Sequence, residues 1–435
     1  MHKRFIKALT WNTSVTFLYK AILLLHQIML YSIISKELYG IQSTIFAIIY
    51  LTIAMTNFGF DDTLLPFFSI FSQSKKSFLQ LIHYGAIRII GIITIAVIIY
   101  NSMLLLPHVS ESIFFHCKHQ LFCIILAIFV IESIKKTINS IAQLAFLNKE
   151  IAYAEFGMIT TYVSAIWIMY GFGHSISLCT IFLSMLITVS IELIYLTSVL
   201  CKYYYQLPDS TTITPNIPST ILLQQSIYNY IHQVSKTIFS PNSMTILFAY
   251  VLGFQQAATI KFFTNIITLG YTFIYKTIST TSGAVLSHTH STSTHLVQNV
   301  FSKISQIYFR FLLTMTITTI CIVGCNYYTE SITKITIIQI TLFFIVGFLE
   351  QITLIYEKLF ISQHKSAILA TINCLELFTI LTSIYFILHN ININNYLTIT
   401  VLIFVKLISL IFISFLAKKY WNIPTIHAYF FTPSQ

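Results

Sequence analysis

Five basic residues fall inside long apolar runs: Lys20, Arg88, Lys236, Arg310 and Lys406. A charge in hydrocarbon costs at least ~2.5–3.5 kcal/mol on insertion scales, so each needs a carboxylate, water or an anionic ligand beside it. Arginine suits phosphate, because its planar guanidinium offers parallel donors to two oxygens at once. Lys20, Arg88, Lys236 and Arg310 are therefore the candidate substrate-binding residues, with snorkelling or a private ion pair as the competing explanation for each. Glu155 and Glu376 could pair with Arg88 or Arg310, and Lys406 is expected to pair with Glu376. Asp61 and Asp62, in NFGFDDTLLPFF, form a carboxylate pair that can hold a cation or share a proton. Together with Glu155 and Glu376 they are the candidates for ion coupling, against the plainer reading of a solvated interfacial pair. SHTHSTSTH (His288, His290, His295) and FHCKHQ (His116, Cys117, His119) contain metal-ligand residue types, but both fall in expected loops and no metal is expected. No Walker motif, Gly-rich nucleotide loop or His-Glu-x-x-His occurs, so neither a cofactor nor ATP hydrolysis is expected.

The elements that carry these residues are set by composition. Of 435 residues 56% are hydrophobic and only 9% charged, with mean hydropathy +0.80, whereas soluble chains carry about 25% charged residues. So few charges cannot cover a water-exposed surface. Apolar stretches recur at 12–34, 41–63, 79–100, 120–138, 151–171, 176–200, 219–250, 256–284, 303–325, 335–357, 366–389 and 396–417. A span takes about 20 residues, so the expected fold is an all-α integral membrane protein of about twelve transmembrane helices. The net charge of +11 is spread singly or in pairs between these stretches, which argues against a nucleic-acid partner. MHKRFIKAL runs into Trp11–Ile34 without a small-residue cleavage site and reads as a retained first helix. The seven cysteines include no Cys-x-x-Cys pair, so neither a disulfide framework nor a zinc site is implied.

Orientation follows from the positive-inside rule. With a cytoplasmic N-terminus, fifteen Lys and Arg lie on the inner side against four on the outer side, which puts both termini inside. A weak repeat places LYGIQSTIF from Leu38 over VLGFQQAAT from Val251, with Gly40 on Gly253 and Gln42 on Gln255. Two six-helix lobes, 1–207 and 220–435, joined by a cytoplasmic linker at 208–219, are then expected, related by a parallel pseudo-twofold repeat. In the seventh span Gln224, Gln225, Asn229, His232, Gln233 and Lys236 share one broad face, which is expected to meet water, and Pro241 is expected to bend the helix.

SKELYG, the helix ending in NFGFDDTLLPFF, and the polar seventh and eighth spans resemble the polysaccharide exporters of the MOP superfamily, a MATE-like architecture, and in particular the Wzx-type flippases of O-antigen and capsule biosynthesis. The likeness is concentrated at about 8–80 and 220–285. It implies a V-shaped transporter of the bacterial inner membrane, not an enzyme, that moves an undecaprenyl-pyrophosphate-linked oligosaccharide between leaflets by alternating access. It also implies a cationic cavity mapping onto Lys20, Arg88, Lys236 and Arg310, with the polysaccharide polymerase and chain-length regulator as partners beside the lipid bilayer. The chain departs from the related lipid II flippases in lacking two extra helices and in having Lys in its first span. A MATE-type drug exporter and a membrane glycosyltransferase, polymerase or ligase are the alternatives. The first should prefer an acidic cavity, and the second needs a substantial outer loop, whereas Asn101–His119 is short and carries one acid, Glu111. A reporter fused after Gln435 is expected in the cytoplasm and one near His108 outside; an external C-terminus would overturn both the orientation and the span count.

Overall fold

The computed structural model describes residues 2–105, 119–209, 219–238, 240–255, 334–390 and 395–423, with scattered positions between 257 and 313. Every element among these residues is an α-helix: α1 (His2–Ile33), α2 (Lys36–Met55), α3 (Phe60–Phe71), α4 (Lys75–Leu105), α5 (His119–Leu144), α6 (Asn148–Gly171), α7 (Leu178–Gln206), α8 (Ser219–Thr237), α9 (Pro241–Leu252), α10 (Lys334–Ser362), α11 (Ser366–Asn390) and α12 (Asn395–Trp421). Among the described residues six stretches, in α1, α2, α4, α6, α7 and α11, are long and apolar enough to cross a membrane. The expected spans 256–284 and 303–325, Arg310, the outer loop around Glu111, and the histidines at 288, 290 and 295 lie outside the described residues or in their scattered part.

Two expected spans are corrected, because each is broken into two helices. The stretch 41–63 stops at Met55 and restarts at Phe60. The sequence TNFGF explains it: Phe58 and Gly59 both adopt positive φ, 49° and 69°, and consecutive left-handed residues cannot continue a right-handed helix. The stretch 219–250 stops at Thr237 and restarts at Pro241. Pro241 has no N–H to give and stands at the first helical position, while the Ser240 side chain accepts from the Ser243 amide. The bend expected at Pro241 is thus a full break.

The chain divides into two compact units, Thr10–Phe262 and Phe263–Gln435 with Met1–Leu9. The first extends beyond the expected linker at 208–219 and takes in α8 and α9, which pack on α3 and α2. Its core is built where apolar positions recur at helical spacing, as in Ile181, Met185, Val189 and Leu196 of α7 or Phe78, Leu81, Ile92 and Ala96 of α4. α1 joins this unit through His26, whose Nδ1 accepts from the Trp167 indole of α6 at 3.1 Å. In the second unit α12 packs on both α10 and α11, and Trp421 closes edge-on over Phe360 with ring centroids 5.0 Å apart.

Gly59 is also where α3 meets α8. A Cβ there would lie 2.4 Å from the Ser226 carbonyl oxygen and 2.7 Å from the Tyr230 nitrogen. Gly59→Ala is therefore expected to cost about 1–3 kcal/mol through strained φ and overpacking. The check is the unfolding temperature in detergent, which should fall for Gly59→Ala and stay level for Gly157→Ala, where a Cβ meets nothing within 4 Å.

Candidate functional site

Arg88 lies on the buried stripe of α4 that includes Leu81, Gly85, Ile92 and Ala96, facing α3 and α5. Its Nη1 donates to Thr137 Oγ1 at 2.6 Å, and that hydroxyl in turn donates to the Ser133 carbonyl at 3.1 Å. The guanidinium carbon stands 5.2 Å from the centroid of the Phe60 ring, a cation–π distance. Asp61, in the first turn of α3, approaches from the helix break: Oδ1 is 3.6 Å from Arg88 Nη1, and Oδ2 is 3.6 Å from Lys136 Nζ. Arg88 Nε and Nη2 are buried with no hydrogen-bond partner among the described residues. The site is therefore two cations around one loosely held carboxylate.

Beside it the helix breaks are stitched by neutral hydrogen bonds. Asn57 Nδ2 donates to Gln233 Oε1 at 2.8 Å, and Asn229 Nδ2 donates to Thr63 Oγ1 at 3.1 Å. Ser226 Oγ meets Thr63 at 3.3 Å and makes a short hydrogen bond with the Tyr84 hydroxyl. The expectation that the polar face of the seventh span meets water is thereby corrected for Asn229 and His232, which are buried, as is Ser226 beside them. Ser226 and the Asn229 amide nitrogen bond to α3 and α4 instead, a partnership that close approach at Gly59 permits. Gln224 stays exposed, and Gln225 and Gln233 are half-buried.

Two further charge clusters lie away from Arg88. Lys135 Nζ bonds Glu132 at 2.8 Å and Glu192 of α7 at 3.0 Å, and Glu155 of α6 adds its charge to the field at Glu192. In the second unit Lys406 bonds Glu376 at 2.5 Å and reaches Glu350 at 3.3 Å. The expected Lys406–Glu376 pair is present. The expected Glu155 or Glu376 partner for Arg88 is not; Asp61 takes that place, because the break at Asn57–Gly59 starts α3 next to α4. Lys20 stands over the Tyr19 ring at 5.6 Å, and Lys236 occupies the last turn of α8, both in the first unit. Asp62 is half-exposed and has other interactions.

Sequence reasoning missed Lys136, Thr137, Glu132, Lys135 and Glu192. Lys135 and Lys136 are among the fifteen inner-side charges, and α5 carries both within a helix that runs on to Leu144, about 13 Å further at 1.5 Å per residue. The signal was available in IESIKK, where Glu132 and Lys135 stand three apart on one helical face.

With this geometry in hand, the chain superposes on solved transporters over nearly its whole length. An outward-facing multidrug-resistance MATE transporter of the MOP superfamily matches with TM-score 0.71 at 11% identity, covering 96% of this chain and 94% of that one. A MOP superfamily transporter from Pyrococcus furiosus matches with TM-score 0.69 at 11% identity, over 99% and 96%. The fold is that of the MATE and MOP transporters. A Vibrio cholerae MATE transporter gives TM-score 0.63 at 12% identity over 96% and 97%. No family model matches the sequence, and no curated relative matches it. The MATE and MOP fold is thus carried here by a sequence whose charges must be read on their own terms.

Breaking the Lys135 cluster gives a direct test of its role. Lys135→Met leaves Glu132 and Glu192 as adjacent buried carboxylates, and losing one partner of a buried ion pair costs about 3–5 kcal/mol. A lowered unfolding temperature is expected, partly restored by adding Glu192→Gln; an unchanged temperature in the single variant would show that the lysine does not hold the cluster together.

Proposed function

We propose that this chain is a flippase of the bacterial inner membrane that carries undecaprenyl-pyrophosphate-linked oligosaccharide to the outer leaflet by alternating access, for O-antigen or capsule synthesis. The observation that carries the reading is Arg88: a guanidinium buried within a span of a transporter fold, with two donors unused. A pyrophosphate supplies the oxygens such a group lacks, and the lipid tail remains in the bilayer while the sugar crosses. Lys20 and Lys236 belong to the same unit and add positive charge for an anionic headgroup. Arg310 joins them on the sequence pattern alone. Asp61, Asp62, Glu155 and Glu376 are the acids through which ion coupling would act. The cytoplasmic termini rest on the loop charges, and the polymerase and chain-length regulator on the resemblance to Wzx-type exporters.

A MATE-type exporter of cationic compounds is the second reading, and the acid-rich surroundings of Lys135 and Lys406 favour it. Fold does not decide between cargoes. The Pyrococcus protein is itself described by a binding pocket of reversed polarity that suggests a different function.

Export in a flippase-deficient strain and drug resistance separate the two, and charge reversal tests the residues. In a strain lacking its own O-antigen flippase, Arg88→Glu or Lys236→Glu is expected to reduce surface polysaccharide at least tenfold with the protein still in the membrane. Wild-type export in both variants would reduce Arg88 and Lys236 to structural ion pairs, whereas resistance to cationic drugs conferred by the unmodified chain without any export would favour the exporter.

A further inference from the structure

The three charge clusters are not built alike. Around Lys135 the closest ammonium–carboxylate distance is 2.8 Å, within the range of charge-assisted hydrogen bonds, and around Lys406 it is shorter still at 2.5 Å. Around Asp61 both cations stand at 3.6 Å, and Asp61 Oδ1 is buried without a hydrogen bond. Lys135 and Lys406 are closed. Asp61 spans two cations without bonding fully to either.

Arg88 shows what is left open. Thr137 holds Nη1, and the Phe60 ring lies within cation–π distance of the guanidinium. The two nitrogens without partners, Nε and Nη2, form one complete edge of the fork, the edge that grips two oxygens of a carboxylate or phosphate side by side. Burial of such donors without acceptors is costly, and the Arg88 side chain is only 3% exposed. Lys136 and Asp61 are more accessible, at 35% and 21% of their side-chain surface. The end of α3 that carries Asp61 has no side-chain cap and adds the partial positive charge of a helix N-terminus.

We propose that Asp61 is an internal stand-in for a ligand phosphate: a phosphoryl oxyanion displaces it from between the two cations, supplies oxygens to the Arg88 nitrogens that lack acceptors, and offers a further oxygen to Lys136. A tetrahedral phosphoryl group can serve both cations at once. Asp61, fixed to the first turn of α3, reaches each only at long range. The resting carboxylate keeps two buried cations compensated while no ligand is present and is released when a more highly charged anion arrives. Thr137 sets which edge of the guanidinium is free. This inference rests on the flippase reading for the source of the phosphoryl group, and on the geometry alone for the exchange.

The test is calorimetric titration of the full-length chain in phosphatidylcholine nanodiscs, with inorganic pyrophosphate and farnesyl diphosphate as separate probes. Asp61→Asn removes the competitor and is expected to tighten binding about tenfold, a gain that misfolding cannot imitate. Adding Lys136→Gln to Asp61→Asn should cancel most of it. Tightening for farnesyl diphosphate alone identifies a lipid headgroup as the source, and equal tightening for both probes shows that the phosphates suffice. Binding by Asp61→Asn that is unchanged or weaker for both probes, or that Lys136→Gln leaves intact, would overturn the exchange. If Asp61→Asn tightens binding while the unmodified chain supports no export in cells, the exchange stands and the flippase reading falls. If binding is insensitive to Asp61 while Arg88→Glu abolishes export, the flippase reading survives and the exchange does not.

Discussion

Lipid offers no hydrogen bonds and screens no charge, so every ionised or polar group placed within a span must find its partner inside the protein or in water. Lys135 and Lys406 meet this demand with two carboxylates each, close enough to bond directly. Thr63 and Ser226, with the amide nitrogens of Asn57 and Asn229, meet it with neutral hydrogen bonds that tie the turn before α3, and α3 itself, to α8. Arg88 meets it only in part. The difference between satisfied and unsatisfied charge is what separates scaffold from site, since all of these groups are buried.

The helix break before α3 has a second effect on the site. A continuous helix over 41–63 would project Asp61 from the end of a rod; the left-handed residues at Phe58 and Gly59 redirect the chain so that α3 starts between α4 and α5. Gly59 also lets α8 approach within the space a methyl group would need. One glycine therefore fixes both the carboxylate near Arg88 and the neutral seam beside it.

Much of this was legible in the sequence, and the misses have physical causes. Uninterrupted apolar runs gave α4, α6, α7 and α11 to within a few residues, because in lipid a long apolar run has few alternatives to a helix. Pro241 announced its break by chemistry. The break at Asn57–Gly59 was written in the same alphabet, an Asn and a Gly between apolar residues, but hydropathy averages across it. The Lys406–Glu376 pair was visible because both charges stand in mid-span, while the Asp61–Arg88 contact depends on a turn in the backbone and could not be. The partners of Lys135 and Lys136 went unread since two adjacent lysines resemble a membrane edge, and only the packing of α5 shows which carboxylates they meet.

The contact between Trp167 and His26 has an optical consequence. Indole emission responds to what its N–H is bonded to, and here that partner is an imidazole nitrogen supplied by a different helix. The chain contains only three tryptophans, so the emission of Trp167 can be isolated by replacing the other two, Trp11 and Trp421. Any shift of α1 along or away from α6 would lengthen this bond and alter its colour and intensity. The first unit thus carries a native spectroscopic gauge of the register between these two helices, readable in a working membrane without an attached label.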